Sequence, residues 1–589
     1  MYLNHRLFLL ILAYVGVLNA QSQTTFKKLT TGPIVNTPLD SRSVNFADFN
    51  KDGLEDLLIT QGNSAGASDL IYYNKGDLTF ELQPQLTNQI SDPSVGATVG
   101  DMDNDGLADI YVSTWYNRKN TLYRGTTNNG FDITQMNPNS YSESATWGDY
   151  DNDGYLDLYV CNSGNSTSDN RNLLFKNNAG TLSLQTNHPL VQATNNSRHA
   201  TWVDYDQDDD VDLFICNENQ TKHELFRNEG SGSFIKITAA GDLLLEASGS
   251  MGASWGDVNN DGWMDVFICN SGYFVGQANR LHINNGDGTF TKRTGVYESD
   301  NGCSFSSSFS DYDNDGDLDL VVTNGFCNGI IKNYLYLNNG LGNFTKDQTS
   351  MAEYQTPCSF GTAWGDINND GFQDLVVANC QNNGQSPFAN NDIWINEGNG
   401  YRWLKIKLKG NISNASGYGA KVYLSSMIDG VRVKQLRTLG SVSGYCGQNS
   451  SILHFGLKDG TLVDTLLVVW PSGITQTLTN LKTNEMLVIN EASINANSDD
   501  KKIVSFVLSP NPTSTTIDIK AQIKNVADTI LLELISSNGV VVYKKLYANI
   551  EENWDESIPI KDLKLSSGTY HLKASSRSWS ISKSIVIIP

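Results

Sequence analysis

Seven copies of one acidic phrase recur between residues 44 and 380. They read DFNKDGLED from Asp48, DMDNDGLAD from Asp101, DYDNDGYLD from Asp149 and DYDQDDDVD from Asp204. DVNNDGWMD from Asp257, DYDNDGDLD from Asp311 and DINNDGFQD from Asp366 follow. Successive copies start 53, 48, 55, 53, 54 and 55 residues apart. The shared pattern is Asp-x-Asp/Asn-x-Asp-Gly-x-x-Asp. Oxygen-bearing side chains at positions 1, 3 and 5 converge on one point if the backbone turns sharply, and glycine at position 6 permits that turn. A backbone carbonyl at 7 and a carboxylate at 9 complete a shell of hard oxygens. Ca²⁺ takes about 6–8 such ligands and tolerates irregular geometry, whereas Mg²⁺ wants a stricter octahedron. The loops contain no Cys or His, which argues against zinc or copper.

The candidate metal ligands are Asp48, Asn50, Asp52 and Asp56 in the first loop and Asp101, Asp103, Asp105 and Asp109 in the second. Loop three offers Asp149, Asp151, Asp153 and Asp157, and loop four Asp204, Asp206, Asp208 and Asp212. Loop five offers Asp257, Asn259, Asp261 and Asp265. Loop six has Asp311, Asp313, Asp315 and Asp319, and loop seven Asp366, Asn368, Asp370 and Asp374. These are 25 carboxylates and three amides, which repel one another strongly if packed without a cation. About seven Ca²⁺, one per loop, would move the formal charge from −23 to −9. Asp, Asn and Gly are turn residues in any case, but turn chemistry alone does not require acid at positions 1, 5 and 9 of every copy. Loop four carries Asp209 where glycine is expected, so its site is expected in strained form.

The flanks say which elements hold these loops. Each loop runs into a short apolar strand, such as LYVCN, LFICN or LVVTN. Two places before each first Asp stands Phe46, Val99, Trp147, Trp202, Trp255, Phe309 or Trp364. The loop therefore joins two strands of a hairpin, although its first half resembles an EF-hand loop, which joins helices. The large residues before the loops are read as core between neighbouring repeats. A further strand and a Gly/Asn turn, as in LHINNGDGTF (281–290), bring each repeat to about four strands. Such a sheet cannot bury both its faces alone, so the repeats are expected to pack radially as a seven-bladed β-propeller. A β-solenoid is the alternative, though its repeats are typically shorter. The seventh repeat breaks off at INEGNG (395–400), and its missing strand matches Thr25–Thr30. That segment is expected to complete blade seven and fasten the ring.

The chain has 589 residues and a net charge of −23, unevenly spread. Residues 401–589 hold 21 Lys/Arg against 15 Asp/Glu, and residues 1–400 hold 20 against 49. So acidic a block repels phosphate backbones and excludes nucleic acid as a partner. Residues 1–20 have the pattern of a cleaved secretory signal peptide, and no later stretch is long and apolar enough to span a membrane. The mature chain is read as exported, without a transmembrane segment. Cys161, Cys216 and Cys269 share a repeat position and read as small buried hydrophobes. A bridge between Cys303 and Cys358, or between Cys327 and Cys380, is open.

Over residues 25–400 these motifs resemble the FG-GAP/VCBS repeat, the blade of the integrin α-subunit propeller. The resemblance implies a calcium-stabilised ring and fixes no ligand. Domain boundaries follow as 21–400 for the propeller, 401–492 for a small β-module, 493–502 for a linker and 503–589 for a last domain. In 401–492, Gly417, Gly419, Gly444, Tyr445, Gln448, Ser450, Phe455, Gly456, Trp470, Pro471 and Gly473 follow the pattern of the ASPIC/UnbV domain, which the cartilage acidic protein family also combines with such a propeller. SPNPTSTTIDIK, LSSGTYHLKASS and KSIVIIP in 503–589 resemble the C-terminal sorting domain of type IX secretion substrates, an immunoglobulin-like sandwich. That resemblance implies the type IX secretion machinery as a partner, and a product attached to the cell surface or released.

No catalytic residue is singled out. The seven histidines are scattered, and neither a His-Glu-x-x-His nor a Gly-x-Ser-x-Gly motif occurs. The expected function is a non-catalytic binding or adhesion protein that recognises an extracellular glycan or protein through propeller loops. Trp115, Tyr116, Tyr273 and Phe274 are the candidate recognition aromatics. The alternatives are a secreted polysaccharide lyase or hydrolase on the same scaffold, and a purely structural matrix component.

Overall fold

A computed structural model describes residues 24–589 apart from 84–89, 165–170, 246, 273–274, 329–330, 351–354, 357, 382–387, 493–502, 512, 524–529, 537–540, 548–552, 576–579 and 589. The signal-peptide segment, the linker 493–502, Tyr273 and Phe274 lie outside the described residues.

The architecture is all-β, with almost no helix among the described residues. Apolar alternation and the hairpin loops produce six four-stranded antiparallel sheets and a seventh, in blade one, whose four antiparallel strands are joined by a parallel fifth, Gly447–Gln448. Blade three is representative. Its strands Ser142–Gly148, Asp157–Asn162, Leu173–Asn177 and Leu182–Gln185 pair in sequence order, and the acidic loop joins the first to the second. The innermost strand of each blade touches that of the next, and Ser41–Ala47 of blade one touches those of blades two and seven. The ring is thus closed. Blade seven takes its outer strand from Phe26–Lys28, which pairs antiparallel with Asp392–Asn396. That pairing covers what would otherwise be a bare sheet edge.

The large residues before the loops pack between blades, as their position implies: Phe46, Trp147 and Trp364 are each 1% exposed. A Cβ on Gly148 would lie 2.4 Å from the Trp202 ring, and one on Gly365 would lie 2.8 Å from Phe46. The glycine that precedes a loop therefore makes room for the aromatic of the following blade.

The disulfides differ from both expected pairings. Cys303 bonds Cys327 within blade six, and Cys358 bonds Cys380 within blade seven. The reason is local. Each bridge ties the segment entering a blade's first strand to the segment leaving its second, two points that antiparallel pairing brings together. Cys161, Cys216 and Cys269 are free and buried.

The module that follows has two sheets. Arg402–Lys409 pairs antiparallel with Ile452–Lys458 and parallel with Glu485–Asn490, while Lys421–Ile428 is central to a four-stranded sheet. Its apolar core, including Leu404, Phe455, Val468 and Trp470, is continuous with Tyr111 and Trp147 of the propeller. The C-terminal domain is a separate pair of sheets, of three and four strands, around Ile517, Leu532, Trp554 and Leu572.

Candidate metal loops and the filled channel

All seven loops share one hydrogen-bond scheme. The position-1 carboxylate accepts from the backbone N–H of position 6, at 3.1 Å for Asp48 and Gly53 and 2.7 Å for Asp101 and Gly106. The same bond joins Asp149 to Gly154, Asp257 to Gly262, Asp311 to Gly316 and Asp366 to Gly371. The position-5 carboxylate accepts from the N–H of position 7, as Asp153 does from Tyr155 at 3.0 Å. The position-9 carboxylate accepts from the last residue of the third strand, as Asp157 does from Asn177 at 2.7 Å. These bonds fix the carboxylates and leave oxygens over. Asp48 Oδ1, Asp206 Oδ1, Asp311 Oδ1 and Asp319 Oδ2 are buried without a hydrogen-bond partner.

In loops two, three, four and six, three carboxylates bring oxygens within 4.8 Å of one another: Asp101, Asp103 and Asp109; Asp149, Asp151 and Asp157; Asp204, Asp206 and Asp212; Asp311, Asp313 and Asp315. Loops one, five and seven carry Asn50, Asn259 and Asn368 at position 3, and each of these amides bonds the position-5 carboxylate. Burial, reinforced by the neighbouring acids, pushes Asp109, Asp149 and Asp257 up to about 7. It takes Asp313 to about 8. Oxygen-only donors, orphaned buried carboxylate oxygens and acids kept from ionising by burial and by one another all fit a hard divalent cation. Several of these clusters could hold one.

Loop four shows what Asp209 does in place of glycine. It keeps the left-handed backbone, with φ 72°. Its Oδ1 accepts from Lys421 Nζ of the module at 2.6 Å, and its Oδ2 accepts from the Ser584 N–H of the C-terminal domain at 3.0 Å. Burial alone would raise Asp209; Lys421 beside it brings it down instead.

A recurrent asparagine went unread in the sequence. Asn74, Asn177, Asn228, Asn284 and Asn396 end the third strands of five blades, and Asn338 directly follows that of blade six. Each side chain donates to the position-2 carbonyl of the preceding blade's loop: Ile367, Met102, Tyr150, Tyr205, Val258 and Tyr312. The signal was the repeated Asn before each Gly-containing turn.

The module covers the loop face of the ring. Lys405 Nζ lies 2.6 Å from Asp366 Oδ2, and Lys407 Nζ lies 4.0 Å from Asp48 Oδ2. Lys421 pairs with Asp204 as well as with Asp209. Ser416 Oγ accepts from the Asp101 N–H at 3.0 Å, and the Gly456 N–H donates to Asp311 Oδ2 at 2.9 Å. From this cap the segment 440–450 runs down the central channel. Ser441 Oγ bonds both the N–H and the carbonyl of Trp147, the Ser443 carbonyl accepts from Ser254, and Gly447–Gln448 pair in parallel with Val44–Asn45. Asn449 Oδ1 accepts from the Trp364 N–H and from Ser308 Oγ. At the far end Tyr445, fully buried among Met251, Phe305 and Phe360, donates to Glu143 Oε2 at 2.7 Å. Beside the filled channel a cavity of about 120 Å³ remains, lined by Trp147, Trp202, Trp255 and Lys421.

Of the candidate recognition aromatics, Tyr116 is exposed and Trp115 packs edge-on against it at 4.9 Å. Both lie on the face opposite the cap, because connections between second and third strands emerge there. No helix among the described residues is long and apolar enough to cross a membrane.

Matches to protein families agree with this organisation. The FG-GAP-like repeat family matches residues 48–112, 204–268, 257–322 and 311–377. The ASPIC and UnbV family matches 410–496, and the secretion system C-terminal sorting domain matches 508–588. Cartilage acidic protein 1 of Mus musculus is 25% identical over 289 residues, 47% of this chain and 42% of the relative. Its Homo sapiens counterpart is 26% identical over 272 residues, 44% of this chain and 39% of the relative. The matched region spans about two fifths of these relatives. Among solved structures, BBS1N in complex with ARL6DN aligns with 63% of this chain and 97% of its own at a TM-score of 0.40 and 11% identity. YCF48 from Cyanidioschyzon merolae aligns with 63% and 98% at a TM-score of 0.38 and 10% identity. The sorting domain indicates export, to the medium or the cell surface. The chain is an exported FG-GAP-like repeat protein that carries an ASPIC/UnbV domain and a secretion-system C-terminal sorting domain.

Proposed function

We propose that the protein is a calcium-stabilised, non-catalytic binding or adhesion protein, working in the medium or on the cell surface. It recognises a glycan or a protein through the propeller face opposite the cap. The filled channel carries this reading. Residues 440–450 occupy the ring's axis, and the module covers the loop face. The opposite face remains. There Tyr116, Val275 and Phe388, at 48%, 65% and 40% exposure, sit on connections of blades two, five and seven. The two disulfides hold the same face in blades six and seven. Rigid presentation of a few exposed large side chains suits recognition.

Calcium content and thermal melts of the mature chain in Ca²⁺ and in EDTA test the first half of this reading. Bound ions raise the melting temperature by linkage. Binding to a panel of extracellular polysaccharides tests the second half. The triple variant Tyr116→Ala, Val275→Ser, Phe388→Ser is expected to lose at least about tenfold in affinity, the loss of roughly 1.4 kcal/mol. Cleavage of any polymer on the panel would replace this reading with the lyase or hydrolase.

A further inference from the structure

The residue before the asparagine at the end of each third strand (before Gly125 in blade two) is Tyr73, Arg124, Lys176, Arg227, Ile283, Leu337 or Ile395, in blade order. It is basic in blades two, three and four, where position 3 of the loop is Asp103, Asp151 or Asp206. It is uncharged in blades one, five and seven, where position 3 is Asn50, Asn259 or Asn368. An additional acid in the loop is therefore accompanied by a base from the same blade. Blade six departs from this, with Asp313 and Leu337; there Arg437 of the module stands 3.9 Å from Asp311.

The three bases are not equivalent. Arg124 pairs with Asp103 of loop two. Arg227 bonds Glu229 and only faces Asp206. Lys176 goes to the middle of loop three: its Nζ is 2.7 Å from Asp151 Oδ1, 2.7 Å from Asp153 Oδ2 and 3.3 Å from Asp157 Oδ1. Those oxygens belong to positions 3, 5 and 9, three of the four side-chain donors of the loop. An ammonium has three N–H donors and no acceptor, so it can satisfy one carboxylate with each. Its side chain is only 16% exposed, and its nitrogen stands 5.5 Å over the Tyr150 ring. A calcium ion within about 2.3–2.6 Å of the same oxygens would claim the volume that this nitrogen fills.

We propose that Lys176 is a tethered substitute for the metal in loop three, so that the chain takes up one calcium fewer than it has loops. The proposal rests on the reading that the other loops bind calcium. A lysine on the third strand of the blade supplies permanently the positive charge that an ion would otherwise bring to positions 3, 5 and 9.

The test is the calcium content of the full mature chain, by native mass spectrometry and by metal analysis after dialysis against Ca²⁺. Lys176→Met keeps the stem and removes the charge, and is expected to carry one ion more than the unsubstituted chain. Lys176→Gln serves as a second variant should the first not fold. In EDTA either variant melts lower than the unsubstituted chain, and calcium raises its melting temperature by more. Adding Asp153→Ala cancels the gained ion, whereas Asp153→Ala alone leaves the count unchanged. Equal counts with and without Lys176, or a loss of one ion from Asp153→Ala alone, would overturn the assignment. No calcium in any of these chains would overturn the calcium reading itself, a result distinct from either.

Discussion

The carboxylates of the loops make opposite demands on the protein with and without metal, and pH separates the two. Burial raises Asp56, Asp109, Asp149 and Asp257 to about 7 from an ordinary value of 3.8. Without metal, the folded state then binds more protons than the unfolded state between roughly pH 4 and 7, so stability falls as pH rises through that window. With calcium the sign reverses, because the ion needs ionised ligands and leaves as they protonate. Melts in EDTA are expected to drop from pH 5 to pH 8, and melts in calcium to rise over the same range. Parallel curves in the two buffers would show that the loops do not exchange protons for metal. At this scale the sequence was readily legible at positions 1, 5 and 9, since a short phrase repeated seven times specifies side-chain type and spacing together. Asp209 was legible only as a departure from the phrase. Its partners Lys421 and Ser584 lie 212 and 375 residues away, and no local pattern records so distant a contact.

Glycines decide whether the segment 440–450 fits its channel. A Cβ on Gly444 would lie 2.0 Å from the Ser307 carbonyl oxygen, and one on Gly447 would lie 2.2 Å from that of Thr362. Both obstacles are backbone, which cannot swing aside. Gly447→Val is expected to destabilise the chain by about 1–3 kcal/mol, the usual penalty for an overpacked core. Differential scanning calorimetry of the full chain checks this, and a melting temperature within error of the unsubstituted chain would place the segment outside the channel. The glycines of this segment were visible in the sequence as turns. Their purpose was not, because the segment meets six blades, at Val44, Thr98, Trp147, Ser254, Ser308 and Trp364, from six different places in the chain. Strands and hairpins, by contrast, could be read directly: alternation and Gly/Asn turns are local signals. So was the outer strand of blade seven, because Thr25–Thr30 matches the ends of blades five and six.

At the scale of the whole molecule, charge is arranged by domain. The propeller segment is strongly acidic, while residues 401–492 hold ten Lys and Arg against five Asp and Glu. The spacing of the acids pointed to metal ions as their counterions; the structure adds the module's own cations at Asp48, Asp204 and Asp366. Together with the shared apolar core, these pairs are expected to hold the module in place without the peptide link. With a protease site inserted between Gly400 and Tyr401, the cleaved fragments should co-elute on gel filtration and separate only in denaturant. Separation in native buffer would show that the chain connection alone keeps them together.

The strand Phe26–Lys28 has a consequence for how this molecule comes into being. It must find a partner strand some 370 residues further along, at Asp392–Asn396, and the axis is filled later still, by residues 440–450. Contacts so remote in sequence carry a high entropic cost of closure and slow the search for the native state. Blade seven has no outer strand until residue 396 has been made, and the ring has no axle until residues 440–450 follow. Native structure that forms earlier is thus local, confined to hairpins and single blades.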